Sequence, residues 1–243
     1  MTATPPVVDR ETWQQQVDEL LVREKAHTRE GDAIAAARRR LPMVELDAAT
    51  PLVGADGDVT LLDVFEGRRQ LITYFHMWHA GHTAPDQCEG CSFFNGHVRE
   101  LSYLHSRDVT YATITHGPWS EVARYRDFLG LEAPWYTAPE LYEELGDSGI
   151  KVFLRDGDRV FQTYEITGRG CEIMSNSYGL LDLTVYGRQE VWEDSPEGWP
   201  QDLGTRGEQF RLNGRPTLQW SRLEAGRSDD LGATGPAGDH HCH

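Results

Sequence analysis

A chain of 243 residues, 39% hydrophobic and 10% aromatic, can bury a folded core, which excludes disorder over its whole length. Its 39 acidic and 23 basic residues give a formal net charge of −16, and a field of that sign repels nucleic-acid phosphates and anionic membrane surfaces. No apolar run approaches the ~18 residues of a membrane span, and no secretory signal pattern opens the sequence, so a soluble cytoplasmic protein is expected.

The predicted elements alternate between helix and strand along most of the chain. Apolar residues at helical spacing, with Asp9 as N-cap, predict helix over Glu11–Arg40, including a second basic helix at Asp32–Arg40 that ends before Pro42. The other predicted elements are strands at Met43–Leu46, Val59–Leu62, Arg69–His76, Val109–Thr115, Ile150–Arg155 and Arg159–Tyr164, and helices at Ser92–Ser106, Ser120–Leu129 and Glu172–Leu181. This order predicts an α/β fold, with a small mixed sheet and helices on both faces.

The composition predicts three segments. Residues 1–42 form a helical N-terminal extension, residues 43–200 the α/β domain, and residues 201–243 an irregular segment with a flexible tail. The tail is predicted after Leu223, where the sequence has few large apolar residues. Its last residues, His240–His243, form a ready chelator of adventitious metal.

A Cys-x-x-Cys pair, Cys88 and Cys91, lies before the helix predicted at Ser92–Ser106. A helix N-terminus offers unpaired N–H groups and a partial positive charge, and both stabilise a thiolate. Two cysteines at this spacing can alternate between dithiol and disulfide. We predict Cys88 as the exposed nucleophile and Cys91 as the resolving cysteine.

Three histidines, His76, His79 and His82, precede this pair at three-residue spacing. On a helix they would share one face, and in a loop they could still converge. Neutral imidazole together with thiolate suits zinc or copper. The alternative to redox use is therefore a metal site built from some of these histidines with Cys88 and Cys91.

Two further residues are candidates for the site. His116 ends the strand predicted after the Cys-x-x-Cys pair, and strand ends of an open α/β sheet line the ligand crevice, so it is a candidate acid, base or ligand. Cys171 either approaches the site as a third sulfur or fills the core as a small hydrophobic residue.

Five stretches together resemble the domain-of-unknown-function 899 family of thioredoxin-like proteins. They are Leu20–Val44, Cys88–Phe94 (CEGCSFF), Arg107–Thr115, Val152–Gly170 and Tyr178–Glu190, and the resemblance spans Leu20 to Pro200. It implies a thioredoxin-like mixed sheet with a dithiol–disulfide function carried by Cys88 and Cys91. It also implies a small thiol or disulfide substrate, or a redox partner protein.

The sequence departs from thioredoxins in two places. Eleven residues separate His76 from Cys88, where thioredoxins place the dithiol almost directly after the strand, and Gly146–Phe153 has no proline where thioredoxins have one. Three functions therefore stay open. They are a cofactor-free thiol–disulfide oxidoreductase, a copper or zinc enzyme or carrier (oxygen-dependent if the metal is copper), and a non-catalytic redox-sensitive binding module. Oligomerisation is open in each case.

Overall fold

The computed structural model describes residues 3–146 and 148–228 of the chain. The α-helices are Arg10–Arg38 (α1), Glu89–His97 (α2), Ser102–His105 (α3), Trp119–Leu129 (α4), Pro139–Leu145 (α5), Asn176–Leu181 (α6) and Thr217–Glu224 (α7). The strands are Val44–Leu46 (β1), Pro51–Gly54 (β2), Gly57–Thr60 (β3), Gln70–His76 (β4), Val109–Thr115 (β5), Trp135–Thr137 (β6), Gly149–Asp156 (β7), Arg159–Ile166 (β8), Arg211–Leu212 (β9) and Arg215–Pro216 (β10). Short 3₁₀ segments lie at Asp63–Phe65, Ala84–Asp86, Gly168–Met174 and Glu208–Phe210.

Eight of the strands in the described residues form a mixed sheet in the order β1-β8-β7-β4-β5-β6-β2-β3, and β9 and β10 pair separately. Strand β4 pairs parallel with β5 and antiparallel with β7, and β7 continues antiparallel to β8. Helix α2 lies between β4 and β5 in the chain, and α4 follows β5. This order and these directions are those of the thioredoxin fold, so the predicted thioredoxin-like mixed sheet is confirmed.

Strand β4 lies at the centre of the sheet and faces two cores, as expected for a central strand covered on both sides. Leu71 and Phe75 belong to one buried cluster, which packs beneath α5. Tyr74 belongs to a second cluster that also contains all three described cysteines. The alternation of side chains along β4 therefore selects which of its residues face the cysteines.

The N-terminal helix α1 is confirmed, and it is one continuous helix rather than two. Asp9 caps it, because the Asp9 carboxylate accepts a hydrogen bond of 2.7 Å from the backbone N–H of Thr12. The predicted apolar stripe is not buried, since Trp13 and Leu20 are 44% and 50% exposed and α1 buries none of its residues.

Several other bounds differ from the prediction. The helix predicted at Ser92–Ser106 is two helices, because Val98 leaves the helical region with φ −90° and ψ 95°. The helix predicted at Glu172–Leu181 is instead a 3₁₀ segment followed by α6, for which Ser175 is the N-cap. Strands β2 and β6 were not predicted, since each is too short to show a periodic pattern.

Residues 190–219, called the C-terminal cover below, fold back over helix α2. Where the sequence predicts an irregular segment, the structure has the β9–β10 ribbon and the start of α7. Gln219 is fully buried, and its Nε2 donates to the Ala84 carbonyl (2.7 Å) and to the Tyr125 hydroxyl (2.8 Å). Gly96 allows the close approach of α7, since a Cβ there would collide with Leu218.

The end of the chain is only partly described. The predicted tail beyond residue 228, with His240–His243 and Cys242, lies outside the described residues. The division of the chain at residues 42 and 200 stays a prediction. None of the helices in the described ranges is both long and apolar enough to cross a membrane.

Candidate active site

The Cys-x-x-Cys pair forms the N-terminus of helix α2. Cys88 is the N-cap residue, and its Sγ accepts a hydrogen bond of 3.3 Å from the backbone N–H of Cys91. Cys91 Sγ in turn accepts from the backbone N–H of Met77, at 3.4 Å. Each sulfur thus faces a backbone donor, and the helix dipole adds partial positive charge, so the arrangement stabilises thiolates.

Both sulfurs are nevertheless buried. Cys88 is 1% exposed and Cys91 is 3% exposed. The predicted exposure of Cys88 is therefore wrong. The reason is the C-terminal cover, whose residues Gly207 and Phe210 line the same cavity as the two cysteines.

Tyr74 on β4 joins the cysteine cluster from the side of the sheet. It is buried in the same cluster as Cys88, Cys91 and Cys171. Burial, followed by repulsion from negative charge on the neighbouring cysteine sulfurs when they ionise, raises the pKa of Tyr74 well above its usual value. Tyr74 therefore stays a neutral phenol that can donate to sulfur. Tyr74 was not among the residues predicted from the sequence, although its position two residues before the end of β4 could have indicated it.

Cys171, in the 3₁₀ segment Gly168–Met174, lines the same cavity as Cys88 and Cys91. Its Sγ donates to the carbonyl of Ile166 at 3.6 Å. Burial raises the pKa of the Cys171 thiol from its ordinary 9.0 to about 11, opposed by a backbone hydrogen bond from Ile150. The structure thus brings a third sulfur to the pair, in protonated form at neutral pH.

This shift predicts a pH-dependent loss of stability. The folded state holds the Cys171 proton more tightly than the unfolded state, so this contribution is present below pH 9 and is lost as pH rises through about 11. Between about pH 8 and about pH 11, we expect the free energy of unfolding of Cys171→Ala to fall by roughly 2 kcal/mol less than that of wild type. Urea unfolding at about pH 8 and about pH 11 measures the difference, and parallel pH profiles for the two proteins would contradict it.

A cavity of about 430 Å³ opens onto the three sulfurs. Its walls come from α2, from the 3₁₀ segment Gly168–Met174, from α6 and from the C-terminal cover. The lining includes the aromatic residues Tyr74, Phe94, Tyr178, Trp192 and Phe210, the charged residues Arg169, Glu172 and Glu190, and the cover residues Thr205, Gly207 and Gln209.

The charged lining residues Arg169 and Glu172 belong to a network of ion pairs. Glu172 accepts from Arg169 (2.7 Å) and from Arg188 (2.8 Å), and Arg188 also pairs with Asp182. The Arg188 guanidinium stacks 4.0 Å from the centre of the Tyr178 ring, and that of Arg169 stacks 3.9 Å from Trp192. Burial raises the pKa of Glu172, but the two arginines outweigh it, so the pKa is lowered and the group is a carboxylate.

A buried ion pair fastens the C-terminal cover to the Cys-x-x-Cys turn. Glu89 is 1% exposed, and its Oε2 accepts from Arg211 Nη2 at 2.8 Å. Arg211 Nη1 also donates to the carbonyls of Pro85 (2.8 Å) and Gly214 (3.0 Å). Gly207 has φ +99°, and a Cβ there would overlap Glu89 Oε1, so glycine is required at this position.

The three histidines predicted as metal ligands lie at the end of β4 and in the loop that follows it. The His76 side chain is buried with its ring centre 5.0 Å from that of Trp135, and its Nδ1 lies 2.7 Å from the Met77 carbonyl. The ring centres of His79 and His82 are 5.9 Å apart. Within residues 3–146 and 148–228, no group of three or more His, Cys, Asp or Glu residues is placed to hold a metal ion. Copper or zinc binding stays a prediction.

His116 lies away from the cysteine cavity. Its ring centre is 4.5 Å from that of Tyr142 on α5, and Tyr142 stacks on Phe75, which belongs to the core cluster beneath α5. His116 is also not among the described residues that line the cavity. Its predicted catalytic role stays untested.

Gln87 organises the loop that carries His79 and His82. Its Oε1 accepts from the His79 N–H (3.1 Å), and its Nε2 donates to the carbonyls of His79 (2.8 Å) and His82 (3.4 Å). The side chain is fully buried. These bonds close the eleven-residue loop between β4 and Cys88 on itself.

We expect Gln87→Ala to lower the free energy of unfolding by about 2 kcal/mol, because the backbone groups of this loop lose buried partners. The matched control is Gln14→Ala on α1. Losing its exposed hydrogen bond to Asp18 should lower the free energy of unfolding by less than about 0.5 kcal/mol. Urea unfolding compares the two variants, and equal losses would show that Gln87 does not hold the loop.

The fold and the paired sulfurs at a helix N-terminus define a thioredoxin-like protein. The chain belongs to the family described as bacterial protein of unknown function (DUF899), which matches residues 2–212. The predicted family is therefore confirmed. The comparison with curated proteins gives no match.

Solved structures similar to this chain have low sequence identity. Thioredoxin from Wuchereria bancrofti is 19% identical, with 54% of this chain and 90% of that chain covered and a TM-score of 0.36. A putative thiol:disulfide interchange protein DsbE from Chlorobium tepidum is 16% identical, with 55% and 94% covered and a TM-score of 0.36. A cysteine-to-serine mutant of PrxQ from Xylella fastidiosa is 14% identical, with 55% and 91% covered and a TM-score of 0.35.

Proposed function

We propose that the chain is a thiol–disulfide oxidoreductase that uses Cys88 and Cys91. The observation that supports this most directly is the position of Cys88 as the N-cap of α2, with its sulfur accepting the Cys91 N–H. A sulfur in that position is stabilised as the thiolate, which is the attacking species in disulfide exchange.

In the proposed reaction the Cys88 thiolate attacks one sulfur of a substrate disulfide, and the other substrate sulfur leaves and takes up a proton. Cys91 then attacks Cys88 Sγ, which releases the second substrate thiol and leaves a Cys88–Cys91 disulfide. The protein dithiol loses two electrons and two protons, and the substrate gains both. Tyr74, a neutral phenol in the same buried cluster as Cys91, can donate a hydrogen bond to the resolving thiolate. The exchange needs no cofactor.

The test is a redox titration of the Cys242→Ser variant, which lacks the thiol near the end of the chain. Reduced protein is equilibrated with mixtures of reduced and oxidised dithiothreitol, then alkylated and analysed by peptide mass spectrometry. We expect one reversible two-electron transition in which Cys88 and Cys91, which lie on one tryptic peptide, lose their alkyl labels together. If both cysteines stay alkylated at every ratio, the protein is a binding module or uses these residues in other chemistry.

A further inference from the structure

The burial of the dithiol restricts what can react with it. A disulfide on a folded protein reacts with a sulfur that it can reach at the surface, and at 1% and 3% exposure Cys88 and Cys91 offer almost no surface. The cavity of about 430 Å³ does reach both sulfurs. Its size is within the range of sites that enclose small ligands, about 300–1,000 Å³.

The wall that covers the sulfurs is fastened at two places. Arg211 ties it to the buried Glu89, directly beside Cys88. Gln219 ties its end to the Ala84 carbonyl and the Tyr125 hydroxyl. Moving the C-terminal cover far enough to admit a protein loop would break both buried contacts and leave Glu89 without its counter-charge.

The lining offers both apolar rings and charged groups to one small molecule. The sulfurs lie among apolar rings, including Tyr74, Phe94 and Phe210. Arg169 and Glu190 line the same cavity and offer one charge of each sign to a polar group. A compact molecule with a central disulfide and polar ends matches this distribution.

Building on the proposed thiol–disulfide function, we propose that the substrate is a low-molecular-weight disulfide bound inside this cavity, between α2 and the C-terminal cover. A protein disulfide is not the substrate. One small disulfide is reduced to two thiols, and its two electrons and two protons come from Cys88 and Cys91.

The experiment compares oxidants of different size. Reduced protein of the Cys242→Ser background is mixed with cystine, 2-hydroxyethyl disulfide or insulin, and the reaction is quenched by acid and alkylation. We expect both small disulfides to oxidise Cys88 and Cys91 at least about a hundredfold faster than insulin, because insulin cannot bring its sulfurs to the buried pair. Cystine should be the faster of the two small probes if the charged residues bind its ends.

A variant that narrows the cavity tests whether the small disulfide reaches Cys88 through it. Thr205 lines it, so Thr205→Trp should slow oxidation by 2-hydroxyethyl disulfide about tenfold. Thr28→Trp, at an exposed position of α1, is the matched control and should react as wild type does. If Thr205→Trp unfolds, Gln209→Trp narrows the same cavity from another position of the cover.

The outcomes separate the two proposals. Oxidation by insulin as fast as by the small disulfides, or an unchanged rate in the folded cavity variants, overturns the assignment of a small substrate and leaves the oxidoreductase function standing. Failure of all three disulfides to oxidise Cys88 and Cys91 overturns the proposed function itself.

Discussion

Cys88→Ser is expected to lower the rate of disulfide reduction by at least about 10³-fold, because a serine hydroxyl cannot form the mixed disulfide. The fold should survive this change. Serine is among the preferred N-cap residues, so its oxygen can accept the Cys91 N–H that Cys88 Sγ accepts now. The initial rate of 2-hydroxyethyl disulfide reduction, with dithiothreitol as the recycling reductant, measures the effect.

Cys91→Ser should give a different result from Cys88→Ser. Without the resolving sulfur, Cys88 still attacks, and the substrate half stays attached to it as a mixed disulfide that intact-protein mass spectrometry detects. The control is Cys242→Ser, which removes a thiol outside the Cys-x-x-Cys pair and should keep the wild-type rate. An adduct on Cys91 in Cys88→Ser, with none on Cys88 in Cys91→Ser, would reverse the two assigned roles.

Arg211→Ala is expected to lower the free energy of unfolding by about 3 kcal/mol, because it leaves the Glu89 carboxylate buried without its counter-charge. The variant also loses the donors to the Pro85 and Gly214 carbonyls. Urea unfolding measures the loss. The matched control is Arg159→Ala, which breaks the exposed pair with Glu45 and should lower the free energy of unfolding far less, because water screens that pair.

A second substitution identifies the cause of this loss. Glu89→Gln in the Arg211→Ala background replaces the stranded charge with a neutral amide, so part of the lost stability should return. A further decrease in the double variant would mean that the buried carboxylate is not the source of the loss. The alkylation rate of Cys88 in Arg211→Ala provides an independent reading, since loosening of the C-terminal cover would expose that sulfur.

Sequence alone could predict the central elements because their signals are local. The apolar run at β4 and the turn between β7 and β8 are each contained in a few neighbouring residues. The position of the Cys-x-x-Cys pair at a helix N-terminus was predictable for the same reason. The pairing of Glu89 with Arg211 was not, because 122 residues separate them in the sequence.

The arrangement of the three histidines could not be predicted from their spacing, for a related reason. Three-residue spacing brings side chains together on a helix, but His79 and His82 lie in a loop whose backbone Gln87 holds. The ring of His76 packs beside Trp135, and the sequence gives no sign of that contact, since Trp135 lies in the short strand β6. Spacing could therefore identify the candidates but not the direction of their side chains.

Gln219 has a practical consequence for where the chain can be shortened. The family match ends at residue 212, yet the buried amide that holds the C-terminal cover lies seven positions later. A protein cut at residue 212 would lose Leu218 and Gln219, and the surface of α2 that α7 packs against would be open to solvent. We expect such a protein to self-associate through this newly exposed apolar area, so the smallest unit suitable for study reaches Glu224.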